Sequence, residues 1–207
     1  MLTLFSAASV NGQRATIGLL ESGLPHSLVA VDLKRRPAAL TDASRHGRVP
    51  TLLDSEAADG RPLVLDQSGA ILLYLAERCG HLLPETPRAR AECHRWLLLH
   101  ANDLGPAFIA SYTMTRLGQP QELAAADCRA RVLRFCGMLD ERLAEARFLS
   151  GESFSIADCA AYPDVTWCFK DFPGVERLTH LRRWMEEVGG RPAVAQAMAW
   201  AQRPSGQ

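Results

Sequence analysis

The sequence predicts an α/β domain with a four-stranded mixed sheet, followed by an all-helical domain. Three observations point there. The first part of the chain carries short apolar runs in the order strand, helix, strand, then strand, strand, helix. Leu82-Leu83-Pro84-Glu85-Thr86-Pro87 has two prolines and no periodicity, the composition of a linker. Beyond it, strand patterning gives way to long stretches with helical spacing of apolar residues. The expected domains are residues 1–81 and 88–207, with 82–87 between them.

Leu2 to Phe5 is the first strand. Ser6 to Gly12 is a small, polar loop, and a helix from Gln13 to Ser22 follows, with Ile17, Leu20 and Leu24 on one face and Gly23 as its stop. Ser27 to Leu33 alternates weakly as the second strand and closes a β-α-β unit, whose crossover is expected to be right-handed. Lys34-Arg35-Arg36-Pro37 is a basic turn, leading through a short helix or loop to Gly47. Thr51 to Asp54 and Leu63 to Leu65 are two further strands, joined by a polar segment ending in Asp59-Gly60, a hairpin signal. Asp66 or Gln67 then caps an apolar helix that runs to about Cys79 and stops at Gly80. This order of elements is the thioredoxin-like layout.

The remainder reads as helices. Arg88 to about Thr115 is long, with Trp96, Leu97, Leu99 and Leu104 available for burial and a kink expected at Gly105-Pro106. Gln121 to Ala146 follows Pro120, with Leu123, Val132, Leu133, Phe135, Leu139 and Leu143 as its apolar stripe. Ser155-Ile156-Ala157-Asp158 is a capping box with Asp in place of the usual Glu. It opens a helix to about Lys170, with an interruption expected at Pro163. Two shorter helices, about Gly174 to Val188 and Pro192 to Trp200, are split by Gly189-Gly190, and the tail from Arg203 is expected to be loose.

Composition excludes several classes of function. Lys+Arg 23 against Asp+Glu 23 leaves no net charge for steering onto nucleic acid or an anionic membrane. No apolar run reaches membrane-spanning length, and the N-terminus reads directly as a strand without a secretory leader. The six cysteines form no C-x-x-C and read as reduced thiols, which points to the cytoplasm. The six histidines show no metal-site spacing, so no metal is expected.

Two features of the first domain look chemical. Pro50 opens a strand, so Val49 lies at a sheet end where a peptide-like ligand can add main-chain hydrogen bonds. Gln67-Ser68 sits at a helix N-terminus, where free N–H groups and the helix dipole favour a carboxylate. An ordinary hairpin with an edge proline and a capped helix accounts for the same residues.

The stretch from Gly47 to Ile71 resembles the second half of the N-terminal domain of the cytosolic glutathione transferases. Ser155-Ile156-Ala157-Asp158-Cys159-Ala160-Ala161-Tyr162-Pro163 resembles their helix-capping motif, and the α/β-then-α order matches their architecture. The resemblance spans essentially the whole chain. It implies a glutathione cosubstrate, a homodimer and a detoxification enzyme. By the same resemblance a cis Val49-Pro50 holds the cysteinyl backbone of glutathione, and Gln67 with Ser68 holds its γ-glutamyl group.

Such chemistry requires an acidic thiol. A free thiol has a pKa of about 8.5, and lowering it by roughly two units takes about 2.7 kcal/mol of preference for the thiolate. One charge-assisted hydrogen bond and a helix N-terminus supply that order. Ser9 and Asn11 offer donors in the right loop. Ser9-Val10-Asn11-Gly12 is similar to the Thr-Pro-Asn-Gly loop of one bacterial class, with Val10 in place of its Pro, and that class also reduces disulfides with glutathione. No Cys or Tyr occupies the loop, which argues against the cysteine and tyrosine types. A plain N-cap at Ser9 and a plain turn at Asn11-Gly12 are the competing readings. Arg35, Arg36 and Asp103 are weaker candidates for contacts to glutathione, and Phe108, Tyr112, Met114 and Trp167 for an acceptor pocket. Ser44-Arg45-His46 departs from the Asn-Pro that many family members carry there. The expected function is glutathione transfer to an electrophile. The alternatives are glutathione-dependent disulfide or peroxide reduction on the same site, and a non-catalytic binding or scaffold protein.

Overall fold

The computed structural model describes residues 1–44 and 46–200; Arg45 and the tail from Arg203 lie outside the described residues. The chain divides into two compact units. Among the described residues, one comprises Met1–Leu83 with 189–200, and the other is Pro84–Val188.

The first unit contains β1 (Leu2–Ser6), α1 (Val10–Ser22), β2 (His26–Ala30), α2 (Ala38–Ala43), β3 (Thr51–Asp54), β4 (Leu63–Asp66) and α3 (Ser68–Cys79). Its sheet has the order β2-β1-β3-β4. β1 runs parallel to β2, with Leu4 opposite Leu28, and antiparallel to β3, with Leu4 opposite Leu52. β3 and β4 form the anticipated hairpin, with Leu52 opposite Leu65. The two-residue period of a strand sends Leu2 and Leu4 to one face and Phe5 to the other. Leu2, Leu4 and Leu52 meet Ala15 and Leu19 of α1 and Ile71 and Leu75 of α3, all essentially buried. Phe5 packs instead with Val31 and Leu40. Each such leucine contributes about 1.5–3 kcal/mol on burial. The helices α1 and α3 approach closely, since a Cβ at Gly18 would stand 2.3 Å from Leu72 Cδ2.

Helix α9 (Pro192–Trp200) packs on α1, and Arg191 makes a two-pronged ion pair with Glu21, both contacts at 2.7 Å. This terminal helix, grouped with the helical half on sequence, belongs to the first compact unit.

In the second unit, α4 (Pro87–Leu99) starts from Thr86, whose Oγ1 accepts the Ala89 N–H at 3.3 Å. It passes through a π-helical turn, His100–Leu104, into α5 (Gly105–Thr115). The irregularity expected at Gly105-Pro106 thus falls in the preceding turn. Pro106 has no N–H to return to the chain before it, and a wider turn accommodates that loss. In α6 (Glu122–Glu145) the buried stripe is Ala125, Val132, Phe135, Cys136, Leu139 and Leu143. Leu123, placed in that stripe on sequence, is 90% exposed, and Leu133 is also exposed. α7 (Ile156–Asp171) runs unbroken through Pro163. Every residue from Ile156 to Val165 is buried, so packing on all sides holds the helix where local propensity would break it.

The capping box at α7 forms as read. Asp158 Oδ2 accepts from Ser155 N–H and Oγ–H, each at 2.9 Å, while Ser155 Oγ accepts the Ala157 N–H at 3.3 Å. The other oxygen of Asp158 takes the Leu149 N–H at 3.0 Å and the Trp184 indole N–H at 2.8 Å, tying α7 to α8 (Thr179–Gly189). None of the described helices is long and apolar enough to cross a membrane.

Candidate functional site

The site is built at the start of α1. This helix begins at Val10, three residues before the Gln13 expected from sequence, because Ser9 caps it. Ser9 has extended backbone, φ −140° and ψ 155°, and its Oγ accepts the Gly12 N–H at 3.2 Å. Asn11 and Gly12 therefore occupy the first helical turn and not a loop. A Cβ at Gly12 would lie 2.2 Å from the Ala7 carbonyl oxygen and 2.8 Å from Ser6 Oγ, so only glycine lets this turn sit against the end of β1. Asn11 is half-buried, and its Oδ1 accepts a hydrogen bond from Nη1 of buried Arg14. A guanidinium only donates, which fixes which end of the Asn11 amide faces it and leaves the NH2 group turned elsewhere.

The second part is the approach to β3. The Val49-Pro50 peptide is cis. Val49 packs its side chain against the Phe5, Val31 and Leu40 cluster. Thr51 is the first residue in the ladder, opposite both Phe5 and Asp66, so Val49 stands just outside it. Thr51 Oγ1 donates to the Arg48 carbonyl at 2.6 Å and braces the bend.

The third part follows β4. Gln67 is the N-cap of α3 and has φ 66° and ψ 112°, an unfavourable conformation for a side chain-bearing residue. Its carbonyl accepts the Ile71 N–H at 3.0 Å, but its side chain makes no capping bond. The first N–H groups of α3 thus have no intrahelical acceptor, and they carry the positive end of the helix dipole.

These parts converge. Asn11, Arg48, Val49, Pro50, Gln67 and Ser68 line one cavity of about 190 Å³. Ser9 is not among its lining residues and stays at the N-cap. Arg48, an exposed cation on this rim, was not singled out on sequence; the basic residue directly before Val-Pro was the available signal. Arg35 and Arg36 do not line the cavity. They remain exposed in the turn after Asp32, where Lys34 N–H donates to Asp32 Oδ1 at 2.8 Å and Arg35 N–H to the Asp32 carbonyl at 3.0 Å. The cavity combines amide and hydroxyl donors, a residue just outside a strand end, a helix N-terminus and a guanidinium. That set suits a small anionic peptide.

The other sequence candidates lie in the second unit. Phe108 is buried and stacks with Phe172 at 6.0 Å between ring centroids, with Tyr112 tilted against both rings. Tyr112 donates its hydroxyl to Asp171, and burial together with that carboxylate raises its pKa. Tyr112 lines a cavity of about 170 Å³ with Arg116, Arg129 and Asp171. Met114 is half-buried, and Trp167 is 37% exposed with Lys170 Nζ 4.9 Å above its ring. Asp103 is exposed beside Arg131 and Arg134 in another cavity of this unit.

Comparison with known proteins places this architecture. A model of the glutathione S-transferase N-terminal domain matches residues 4–82, and one of the C-terminal domain matches residues 120–187. The chain is 35% identical to disulfide-bond oxidoreductase YfcG of Escherichia coli strain K12, over 98% of this chain and 96% of that protein. The chain belongs to the glutathione S-transferase family. Within that family, a glutathione transferase from Burkholderia graminis, solved with two glutathione molecules bound per subunit, superposes with a TM-score of 0.88. It is 27% identical, and the match covers 98% of this chain and 89% of that one. A glutathione transferase from Pseudomonas putida, solved with one glutathione disulfide per subunit, gives a TM-score of 0.84 at 27% identity, covering 95% of this chain and 90% of that one.

Proposed function

We propose that this member of the family is a glutathione transferase, which activates the glutathione thiol for attack on a small electrophile. The observation that carries the reading is the convergence of Asn11, Arg48, Val49, Pro50, Gln67 and Ser68 on one cavity. Glutathione offers a peptide backbone, two carboxylates and a thiol, and each finds a counterpart there. The main chain of Val49 pairs with the cysteinyl backbone. Ser68 and the N–H groups opening α3 take the γ-glutamyl carboxylate, and Arg48 is the cation available for the glycyl one. Ser9 and Asn11 donate toward the sulfur and favour its thiolate. Glutathione is a cosubstrate in this reading, and the protein works as a cytoplasmic two-fold dimer.

A second reading on the same site is supported by the Escherichia coli relative, named as a disulfide-bond oxidoreductase, and by the neighbour solved with glutathione disulfide. The bound thiolate attacks one sulfur of a disulfide, forming a mixed disulfide and releasing the other sulfur as a thiolate that takes up a proton. A second glutathione thiolate then attacks the mixed disulfide, yielding glutathione disulfide and the second reduced thiol.

Calorimetry at millimolar glutathione tests the shared premise, and absence of binding removes both readings. A turnover panel pairing glutathione with an aromatic halide, a hydroperoxide and a model disulfide then separates them. Turnover of the disulfide alone rejects the transferase reading. A protein that binds glutathione but turns over none of the three is the non-catalytic binder.

A further inference from the structure

We infer that Arg14 is a positioning residue: it sets the direction of the Asn11 amide so that its NH2 group, and not its oxygen, faces the bound thiol. The inference rests on the proposed glutathione reading and extends it to a residue that does not touch the ligand. Arg14 is only 6% exposed and is not among the residues lining the cavity, whereas Asn11 lines it. The two are three residues apart on α1 and therefore neighbours on one face. Nη1 of Arg14 donates to Asn11 Oδ1.

An asparagine amide is close to symmetric in shape, and its two ends have opposite effects on a sulfur. The NH2 end stabilises a thiolate; the carbonyl end repels it. A guanidinium has five donors and no acceptor, so it accepts only one of the two orientations. Turning Asn11 over would set two donors face to face beside a buried cation. The same contact polarises the amide, because donation to Oδ1 strengthens the N–H groups as donors. Gly12 holds the turn that carries Asn11 against β1, so the backbone is fixed as well as the side chain.

A bare Coulombic effect of the guanidinium is the competing account, and a double-mutant cycle separates the two. The measurement is the ultraviolet absorbance of bound thiolate across pH for wild type, Arg14→Met, Arg14→Lys, Asn11→Ala and the Arg14→Met/Asn11→Ala pair. Arg14→Met is expected to raise the pKa of the bound thiol by about 0.5–1 unit with the glutathione dissociation constant little changed. In the Asn11→Ala background the same substitution should add nothing. Arg14→Lys, also donor-only, should stay near wild type.

A shift of undiminished size in the double variant overturns the inference in favour of direct charge, and Arg14→Met indistinguishable from wild type overturns it outright. If wild type acidifies the thiol and Asn11→Ala leaves the titration unmoved, this inference fails while the glutathione reading stands. If wild type binds no glutathione, both fail. Should Arg14→Met not fold, the Asn11 side-chain amide resonance of the wild-type protein carries the test. It should follow the thiol titration, and a resonance blind to it overturns the inference.

Discussion

Ser9 Oγ accepts the Gly12 N–H at 3.2 Å, so the residue read as a thiolate donor is also the N-cap of α1. The two roles are compatible, because a hydroxyl that accepts with a lone pair still has its proton to give. They are separable by measurement. Ser9→Ala should cost about 1 kcal/mol of stability through the lost cap. Asn11 lines the cavity and Ser9 does not, so Asn11→Ala should raise the pKa of bound thiol by about one unit, equivalent to about 1.4 kcal/mol, and Ser9→Ala by less. The activity deficit of Asn11→Ala should shrink at high pH, where the thiol ionises unaided. Spectroscopic titration of both variants checks the order, and a larger shift in Ser9→Ala would reverse it.

At the other end of the cavity, Ser68 opens α3, where the first N–H groups have no intrahelical acceptor. Ser68→Ala should weaken glutathione binding by about 1–3 kcal/mol, the range for a hydrogen bond to a charged group. Calorimetry reads this directly. An unchanged dissociation constant would place the γ-glutamyl group elsewhere.

Gln67 has φ 66° with a full side chain. A glycine adopts that conformation freely, though it adds entropy to the unfolded chain. Gln67→Gly should therefore leave stability unchanged or raise it by up to about 1 kcal/mol, while glutathione affinity falls. A clear loss of stability in denaturant melts would mean that the conformation carries no strain.

The sheet and most of the cavity were legible because their signals are local and strong; Arg48, a lone basic residue before Val49-Pro50, was not. Val49-Pro50 and Gln67-Ser68 each sit at a strand or helix end that apolar runs define, and the hairpin brings those ends side by side through Thr51 opposite Asp66. What was missed depends on packing. Asn-Gly reads as a turn, yet Gly12 is helical and is needed for its lack of a Cβ beside Ala7. Pro163 reads as a break, but α7 is buried all round it. Leu123 fits a helical stripe in spacing and is nevertheless exposed, because the buried face of α6 starts at Ala125. Arg14 carried no signal of its own, since only the fold shows a buried cation behind Asn11.

Asp54 lies at the far end of β3 from the cavity and is 1% exposed. Burial opposes its ionisation, but a larger sum of partners favours it. Tyr74 donates its hydroxyl to Oδ2 at 2.6 Å, and the Glu56 N–H donates to Oδ1 at 3.0 Å. Arg78 stands at 3.5 Å and the N-terminal ammonium at 3.7 Å. Together they hold the carboxyl below its ordinary pKa of 3.8, and Tyr74, desolvated and bound to a carboxylate, is pushed up to about 12. A carboxylate with a depressed folded pKa contributes stability above its unfolded pKa and loses it as pH falls through the folded one. Asp54→Asn should accordingly cost about 1–2 kcal/mol at pH near 7, with the gap to wild type closing below about pH 4. Tyr74→Phe removes one of the donors and should show a smaller gap with the same pH dependence. Denaturant melts of the three proteins at a series of pH values check this. A gap that stays constant down to about pH 2 would show that Asp54 acts through shape and hydrogen bonding alone, without its charge.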